Sequence, residues 1–408
     1  MNTITLHCAP WIIPVSKPVI KEGAVAVDGS HIVESGSLPE LKKKYPCSRI
    51  VDHRDRALLP PLVNAHVHLE LSHILLSTEE GPFSDFTHWI AGLLATREKE
   101  GATGHKAEQA AHDMLLEQHR LGVIALGDIG NTNIGEQLGG SIPGVLLHFH
   151  EVLGRSAKSR KSILEKLQHA PDTKLFTAHA PYSTHPEIIQ SVKKRARRLG
   201  HPFSIHAAEP DSENEMICCG TGKLFDFLKH RGFVEDSYAP PAGQDNRGSV
   251  YYLNSLGVLD KQTICVHCIH VSPEEVRILA DTGTQICLCP GSNRYLNVGQ
   301  APVRMFLDHG ILPALGTDSR ASNPALSIWR EMRLLQQDNP DVNPADILSM
   351  ATLGGAMALG LEQDYGTLEQ GRKNHFLSVA LPQSLNTPDA LIGFLVTDNK
   401  KIVPEWVQ

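Results

Sequence analysis

The middle of this 408-residue chain alternates short strand-like runs with helix-like ones, and that alternation restricts the fold more than any other feature. Leu175-Phe-Thr-Ala178, Phe203-Ser-Ile-His206, Ile264-Cys-Val-His267 and Ile286-Cys-Leu-Cys289 are short and apolar, as strands buried on both faces are. Helical segments separate them. Thr184 with Glu187 reads as a capping box, Ile188, Ile189, Val192, Ala196 and Leu199 follow at helical spacing, and Gly200 stops the run. Ser272, Pro273 and Glu275 open another such helix, which Gly283 ends, and residues 302–307 read as a short one. Strands alternating with helices imply parallel β/α units. Adding strands over residues 59–68, 123–128 and 145–148 brings seven of the eight strands of a (β/α)8 barrel into view, and Leu312-Pro-Ala-Leu315 leads into Gly316-Thr-Asp318. A doubly wound open sheet is the rival, but no Gly-x-Gly-x-x-Gly follows a strand.

The two ends differ from the middle. Gly23-Ala-Val-Ala-Val27, the turn dipeptide Asp28-Gly29 and His31-Ile-Val33 read as a hairpin, so residues 1–57 form a small antiparallel unit. Near the other end, Phe376-Leu-Ser-Val-Ala380 and Gly393-Phe-Leu-Val396 read as further strands, and both ends are expected to share one sheet outside the barrel. Residues 211–242, with Pro240-Pro241, read as an irregular stretch too long for an ordinary βα loop, positioned to cover an active site.

Bulk properties exclude several classes. Charged residues make up 20% and the net charge is −7, which leaves no basic footprint for nucleic acid or an anionic membrane. Partners are therefore expected to be small molecules. No apolar run reaches transmembrane length and residues 1–14 lack a signal-peptide pattern, so the expected location is the cytoplasm. The eight cysteines then read as reduced thiols.

Four strand ends carry chemistry-bearing side chains. In Asn64-Ala-His66-Val-His68 two histidines one residue apart point to the same side of a strand and can reach one ion. Such a pair alone is more often solvated or structural. His206-Ala-Ala-Glu209 places a histidine at a strand end and a carboxylate just beyond it, supplying a ligand and a proton carrier. His267 ends another strand. Its neighbours Cys265 and Cys268 do not make a zinc pair, because positions three apart on a strand face opposite sides. Asp318 ends the last strand, where it can bind an ion or cap the next helix. Together these ends offer three His and Asp ligands, with a Glu and a His to spare, at the barrel face where active sites form. That set fits a catalytic metal with an open coordination position.

The motifs resemble the amidohydrolase superfamily, on its deaminase and chlorohydrolase branch. The resemblance rests on Leu59-Pro-Pro-Leu-Val-Asn-Ala-His66-Val-His68, His179-Ala-Pro-Tyr182, His206-Ala-Ala-Glu209, Val266-His267-Cys268, Pro290-Gly-Ser-Asn293, Leu315-Gly-Thr-Asp318 and Ala351-Thr-Leu-Gly-Gly-Ala356, in that order. It implies a distorted TIM barrel over residues 58–362, with a β-sandwich built from residues 1–57 and 363–408. It implies that His66, His68, His206 and Asp318 bind one divalent metal, with zinc the default and iron or manganese also suited. Two-metal members carry a lysine at the fourth strand end. Here that strand reads Phe176-Thr-Ala-His179. The resemblance also makes Glu209 the proton shuttle, and has His267 and Asp318 orient the attacking water.

His68-Leu-Glu70-Leu-Ser72, Phe86-Thr-His-Trp89-Ile and the 211–242 stretch resemble the aminodeoxyfutalosine deaminase subgroup. The implied reaction is hydrolytic deamination of an adenine-like nucleoside, 6-aminodeoxyfutalosine first, with water activated on the metal attacking the ring carbon and ammonia leaving. Methylthioadenosine, S-adenosylhomocysteine, guanine or cytosine deamination, and dechlorination, use the same ligands. A non-catalytic binding protein on the same barrel would have lost ligands or shuttle, and all are present. Glu70, Trp89, His179, Asn293 and Arg294 are candidate substrate contacts. Trp89 can equally pack in the core, and Glu70 and Arg294 can equally be surface charges. A homodimer is an expectation from the fold alone. Two positions depart from the superfamily pattern: Gly291, where a bulkier residue is usual, and Lys373-Asn374-His375, in place of an Ala-Asp pair.

Overall fold

A computed structural model describes residues 4–76, 85–234, 248–400 and 402–407. At the N-terminal end, strands β1 (Thr5–Ile12), β2 (Ile20–Val27) and β3 (Ile32–Ser37) form an antiparallel run, with Gly29 at φ 100° in the β2–β3 turn. Strands β4 (Arg49–Asp52) and β5 (Arg56–Leu59) then pair parallel to β1. The unit is therefore mixed rather than antiparallel. The helix Leu38–Lys44, unforeseen in the sequence, returns the chain to run in the same direction as β1.

The central strands are β6 (Leu62–His68), β7 (Val123–Gly130), β8 (Val145–Val152), β9 (Leu175–Ala178), β10 (Phe203–Ala207), β11 (Thr263–His267), β12 (Gln285–Leu288), β13 (Ala314–Leu315) and β14 (Asp318–Ser319). The run expected over residues 59–68 is two strands, broken at Pro60-Pro61, where two missing N–H groups interrupt any ladder. All pairs among the central strands are parallel, in two sheets ordered β14-β6-β7-β8-β9 and β10-β11-β12-β13. The sheets meet at both margins. His206 N donates to His179 O at 2.9 Å on one side, and Thr317 N donates to His66 O at 2.9 Å on the other. Every residue of β6, β7, β10 and β11 is buried, which explains their near-continuous apolar sequence. Gly354 ends the π-helical segment Met350–Gly354 and Gly355 opens the helix Gly355–Ala358, both packed behind this layer. A Cβ at Gly354 would meet Pro313 O at 2.3 Å and one at Gly355 would meet Val63 Cβ at 2.6 Å, so only glycines allow that approach.

The connecting helices carry the start and stop signals read from sequence. Ser272 and Glu275 make a capping box before the helix Pro273–Thr282, and Gly283 closes it at φ 67°. The helix Pro186–Leu199 differs at its start. Its N-cap is His185, not Thr184, because Pro186 occupies the first helical position. The stretch read as irregular from residue 211 holds two helices, Asp211–Cys219 and Lys223–His230. The rest of it, from residue 235 through Pro240-Pro241, lies outside the described residues. The short helix near residue 303 runs Val303–Asp308.

At the C-terminal end, β15 (Phe376–Ala380) and β16 (Glu405–Val407) join the N-terminal strands in one seven-stranded sheet, where β15 pairs antiparallel with β5. Gly393-Phe-Leu-Val396, expected as a strand, belongs to the helix Pro388–Thr397. Thr387 caps it, Pro388 starts it, and Leu391, Ile392, Leu395 and Val396 bury one helical face. All eight cysteines are free thiols. Among the described residues no helix is long and apolar enough to cross a membrane.

Candidate active site

Strand ends β6, β10 and β14 bring His66, His68, His206 and Asp318 together, with one ligand atom from each within 4.8 Å of the others. The link between β6 and β14 is built in. Asn64 Nδ2 donates to Thr317 Oγ1 at 2.8 Å, and Thr317 N donates to Asn64 Oδ1 at 3.1 Å. His206 Nδ1 lies 2.8 Å from His179 O, which makes Nδ1 the protonated nitrogen and leaves Nε2 a free lone pair. Asp318 Oδ2 accepts from Ser292 Oγ at 2.6 Å and Ser322 Oγ at 2.9 Å. Its Oδ1 stands 3.5 Å from His68 Nε2 and 3.8 Å from His66 Nε2. Burial pushes Asp318 up, but its histidine neighbours, His68 first, and the hydrogen bond from Ser292 outweigh it and hold the carboxyl at about 2. Burial drives His66 and His206 well below the usual histidine range, so both rings are neutral, as a ligand must be. His66 is wholly buried and neither of its ring nitrogens has a hydrogen-bond partner among the described residues. An imidazole in that state needs a ligand, and a cation among three nitrogens and a carboxylate supplies it.

Glu209 and His267 face each other beside this cluster, with Glu209 Oε1 3.5 Å from His267 Nε2. His267 Nδ1 is 2.9 Å from Asn293 Oδ1, which orients the ring with Nε2 inward. Burial pushes the Glu209 carboxyl well above the usual carboxylate range, and the charges of Asp318 and Glu213 add to the effect. The backbone here is strained: Ala208, His267, Cys268 and Asp318 all have φ between 48° and 73°. Glu213 holds one of these turns. Fully buried, it accepts from Ala208 N at 3.0 Å and Glu209 N at 3.1 Å.

The cluster opens into a cavity of about 450 Å³. Its wall is apolar along Trp89, Ile90, Leu93, Leu94 and Phe233, and polar along Glu70, Arg97, Asn131 and Glu151. Leu228 and Phe233, from the 211–242 stretch, lie on its rim. Three of the candidate substrate contacts line the cavity: Glu70, Trp89 and His179. Glu70 is engaged, by Arg97 Nη2 at 3.0 Å and Thr132 N at 2.8 Å. The Trp89 indole N–H donates to Ala321 O at 3.0 Å while the ring borders the cavity. His179 Nδ1 pairs with Ser183 Oγ at 2.6 Å.

The other two do not line it. Asn293 serves His267 instead. Arg294 is bound to Asp338 at 2.6 Å and to Leu334 O, since its position on the helix Pro290–Leu296 turns it toward the helix Ile328–Asp338. Gly291 is small of necessity: a Cβ there would lie 2.5 Å from Arg330 Nη1 and from Glu331 Oε1. Lys373 pairs with Asp364 at 2.9 Å, in the terminal part of the chain. Sequence reasoning missed Arg97, Asn131, Glu151 and Glu213. Of these, only Glu151 had a visible signal, as the last charged residue of a buried strand.

The chain is similar to known proteins over most of its length. The profile of the Amidohydrolase family matches residues 57–404. A 5-methylthioadenosine/S-adenosylhomocysteine deaminase of Moorella thermoacetica is 30% identical over 389 residues, covering 91% of this chain and 84% of the relative. An aminodeoxyfutalosine deaminase of Deinococcus radiodurans is 28% identical, covering 83% of this chain and 81% of the relative. The crystal structure of Helicobacter pylori aminofutalosine deaminase with methylthio-coformycin superposes with a TM-score of 0.81 at 23% identity, covering 96% of both chains. By the extent of the family match, and with the ligand cluster assembled at its strand ends, this chain belongs to the amidohydrolase family and is a hydrolytic enzyme acting on C–N bonds.

Proposed function

We propose that the protein is a metal-dependent deaminase of adenine-type nucleosides, with 6-aminodeoxyfutalosine as its first-choice substrate. The observation that carries the reading is Glu209, a buried carboxyl that lines the cavity beside the ligand cluster with its Oε1 3.5 Å from His267 Nε2. Such a group can take a proton from water and return it to a ring nitrogen. His66, His68, His206 and Asp318 would hold the ion, taken here as one zinc. The ion would supply Lewis acidity that makes water a nucleophile near neutral pH. Asp318 would accept a hydrogen bond from that water, and His267, oriented by Asn293, would help hold it for addition to the ring carbon. Glu209 would then take the second proton, from the added hydroxyl, and pass it to the amine, which leaves as ammonia as the ring C=O forms.

The Deinococcus relative and the Helicobacter structure support aminodeoxyfutalosine. The Moorella relative, more similar in sequence, favours a second reading: methylthioadenosine or S-adenosylhomocysteine. We further propose that the two parallel sheets close as one (β/α)8 barrel over residues 58–362. In this reading residues 1–57 and 363–408 form the accessory β-sandwich.

The test is ammonia release by the zinc-loaded protein from 6-aminodeoxyfutalosine, adenosine, methylthioadenosine, S-adenosylhomocysteine, guanine and cytosine. Glu209→Gln should keep its metal and lose turnover by about 10²-fold or more. Normal turnover in that variant would remove the shuttle role, and silence on every nucleoside would remove the deaminase reading.

A further inference from the structure

Among the described residues four carboxylates line the cavity, and they are not equally engaged. Asp318 faces the histidines and two serines. Both oxygens of Glu70 are bound, one to Arg97 and one to Thr132 N. Glu209 is kept for the proton. Glu151, at the end of β8, is the exception. It is 6% exposed, its Oε2 accepts from Asn131 Nδ2 at 2.9 Å, and its Oε1 has no hydrogen-bond partner among the described residues.

A buried carboxylate oxygen without a donor is costly, and it becomes tolerable when a bound molecule supplies the donor. The side chain is held in place for that task. Arg97 Nη1 donates to Asn131 Oδ1 at 3.2 Å, and Asn131 in turn donates to Glu151, so the free oxygen cannot easily turn toward another partner. Its neighbour does not supply the donor in this structure. His179 Nδ1 is engaged with Ser183, and no hydrogen bond joins His179 to Glu151. One atom each of Glu151, His179 and His206 lie within 4.8 Å of one another, so Glu151 borders the reacting end of the cavity without belonging to the four-ligand cluster.

An adenine nucleoside has few hydrogen-bond donors. Apart from the exocyclic amine, which departs at the attacked carbon, they are the sugar hydroxyls. We propose that Glu151 is a specificity-determining residue whose open carboxylate oxygen accepts a hydrogen bond from a ribose hydroxyl of the substrate. The inference rests on the deaminase reading above. It adds selection for an intact ribose over a deoxyribose, carried by one residue outside the four-ligand cluster.

The experiment takes the adenine nucleoside turned over fastest by the zinc-loaded enzyme and compares it with its 2′-deoxy and 3′-deoxy forms. Wild type should lose at least about tenfold in kcat/KM when one of the two hydroxyls is removed. In Glu151→Ala that ratio should shrink to within about threefold, because the ribonucleoside loses its advantage while the deoxy form is unaffected. Glu151→Gln, which keeps the shape and the Asn131 contact, should give an intermediate ratio, and it decides the matter if the alanine variant fails to retain metal. A wild-type ratio near one, or an undiminished ratio in both variants, overturns the proposal while leaving deamination standing. If the wild type releases ammonia from no adenine nucleoside, the deaminase reading and this inference fall together.

Discussion

Glu213 provides a demanding test of how the site is held. Its two oxygens hold the N–H groups of Ala208 and Glu209, and so fix a turn whose Ala208 sits at φ 53°. In Glu213→Gln one oxygen becomes an amide nitrogen facing a backbone N–H. One bond to a charged acceptor is lost, worth about 1.5–3 kcal/mol, and a left-handed alanine that costs about 1–2 kcal/mol has less to hold it. The turn should relax and carry Glu209 with it. A displacement near 1 Å costs on the order of 10²-fold in rate. The expected result is a fall of about 10²-fold in kcat with KM within about threefold. Metal content should be unchanged, because His206 is anchored independently through His179 O. Burial raises the Glu213 carboxyl to about 7, so the wild type increasingly carries a proton there below that pH. The gap between wild type and variant should therefore be wider at pH 8.5 than at pH 6. The assays are ammonia release, metal analysis and thermal melting. A variant that melts lower yet keeps wild-type kcat would refute the positioning role.

Further expectations concern the ligands, the helix beyond β12 and the terminal sheet. Chelation should abolish ammonia release and lower the melting temperature. An ion at a thousand times its Kd stabilises by about 4 kcal/mol, so an unchanged melting curve would count against the ligand set. Asn293→Ala should cut kcat about tenfold or more with metal retained, because His267 loses the partner that orients it, whereas Arg294→Ala should leave kcat and KM within about twofold. The reverse pattern would restore Arg294 as a substrate contact. Burial, with the charges of His53 and Arg49, lowers His7 from 6.5 to about 4. The folded state therefore prefers the neutral ring. Its contribution is complete above pH 6.5 and lost as pH falls toward 4, by at most about 3 kcal/mol. His7→Gln should flatten the melting temperature over that window, and superimposable profiles would discount the group.

Much of the candidate site was legible because its signals are local. A candidate ligand at the end of a buried strand is marked by the apolar run before it, and His66, His68, His206 and His267 carry that mark, whereas Asp318, expected to end a strand, opens the two-residue β14 beyond Gly316-Thr317. The groups that orient these ligands were not legible. Asn293 reads the same whether it meets His267 or a substrate, and Arg294 differs from a binding arginine only by its distance to Asp338. Arg97 lies on a helix of weak amphipathic pattern, so nothing in its neighbours marks the inward face. The errors at residues 211–234 and 388–397 have a common origin: short helices with few turns leave too little periodicity to separate them from loops or strands.

The sheet shared by the two ends has a consequence for how the chain acquires its structure. Arg56 Nε donates to Ser378 Oγ across 322 positions of sequence, and β5 lies between β1 and β15. During synthesis the early strands therefore leave the ribosome long before the strand that covers β5. Until residues 376–380 arrive, one side of β5 presents unpaired N–H and C=O groups, as an edge open to wrong partners. Closing so long a loop adds only a slowly growing entropic penalty at equilibrium, but it delays completion of the fold. Chaperone dependence and aggregation during expression should therefore respond more to changes in β15 than to changes of equal stability at the cavity.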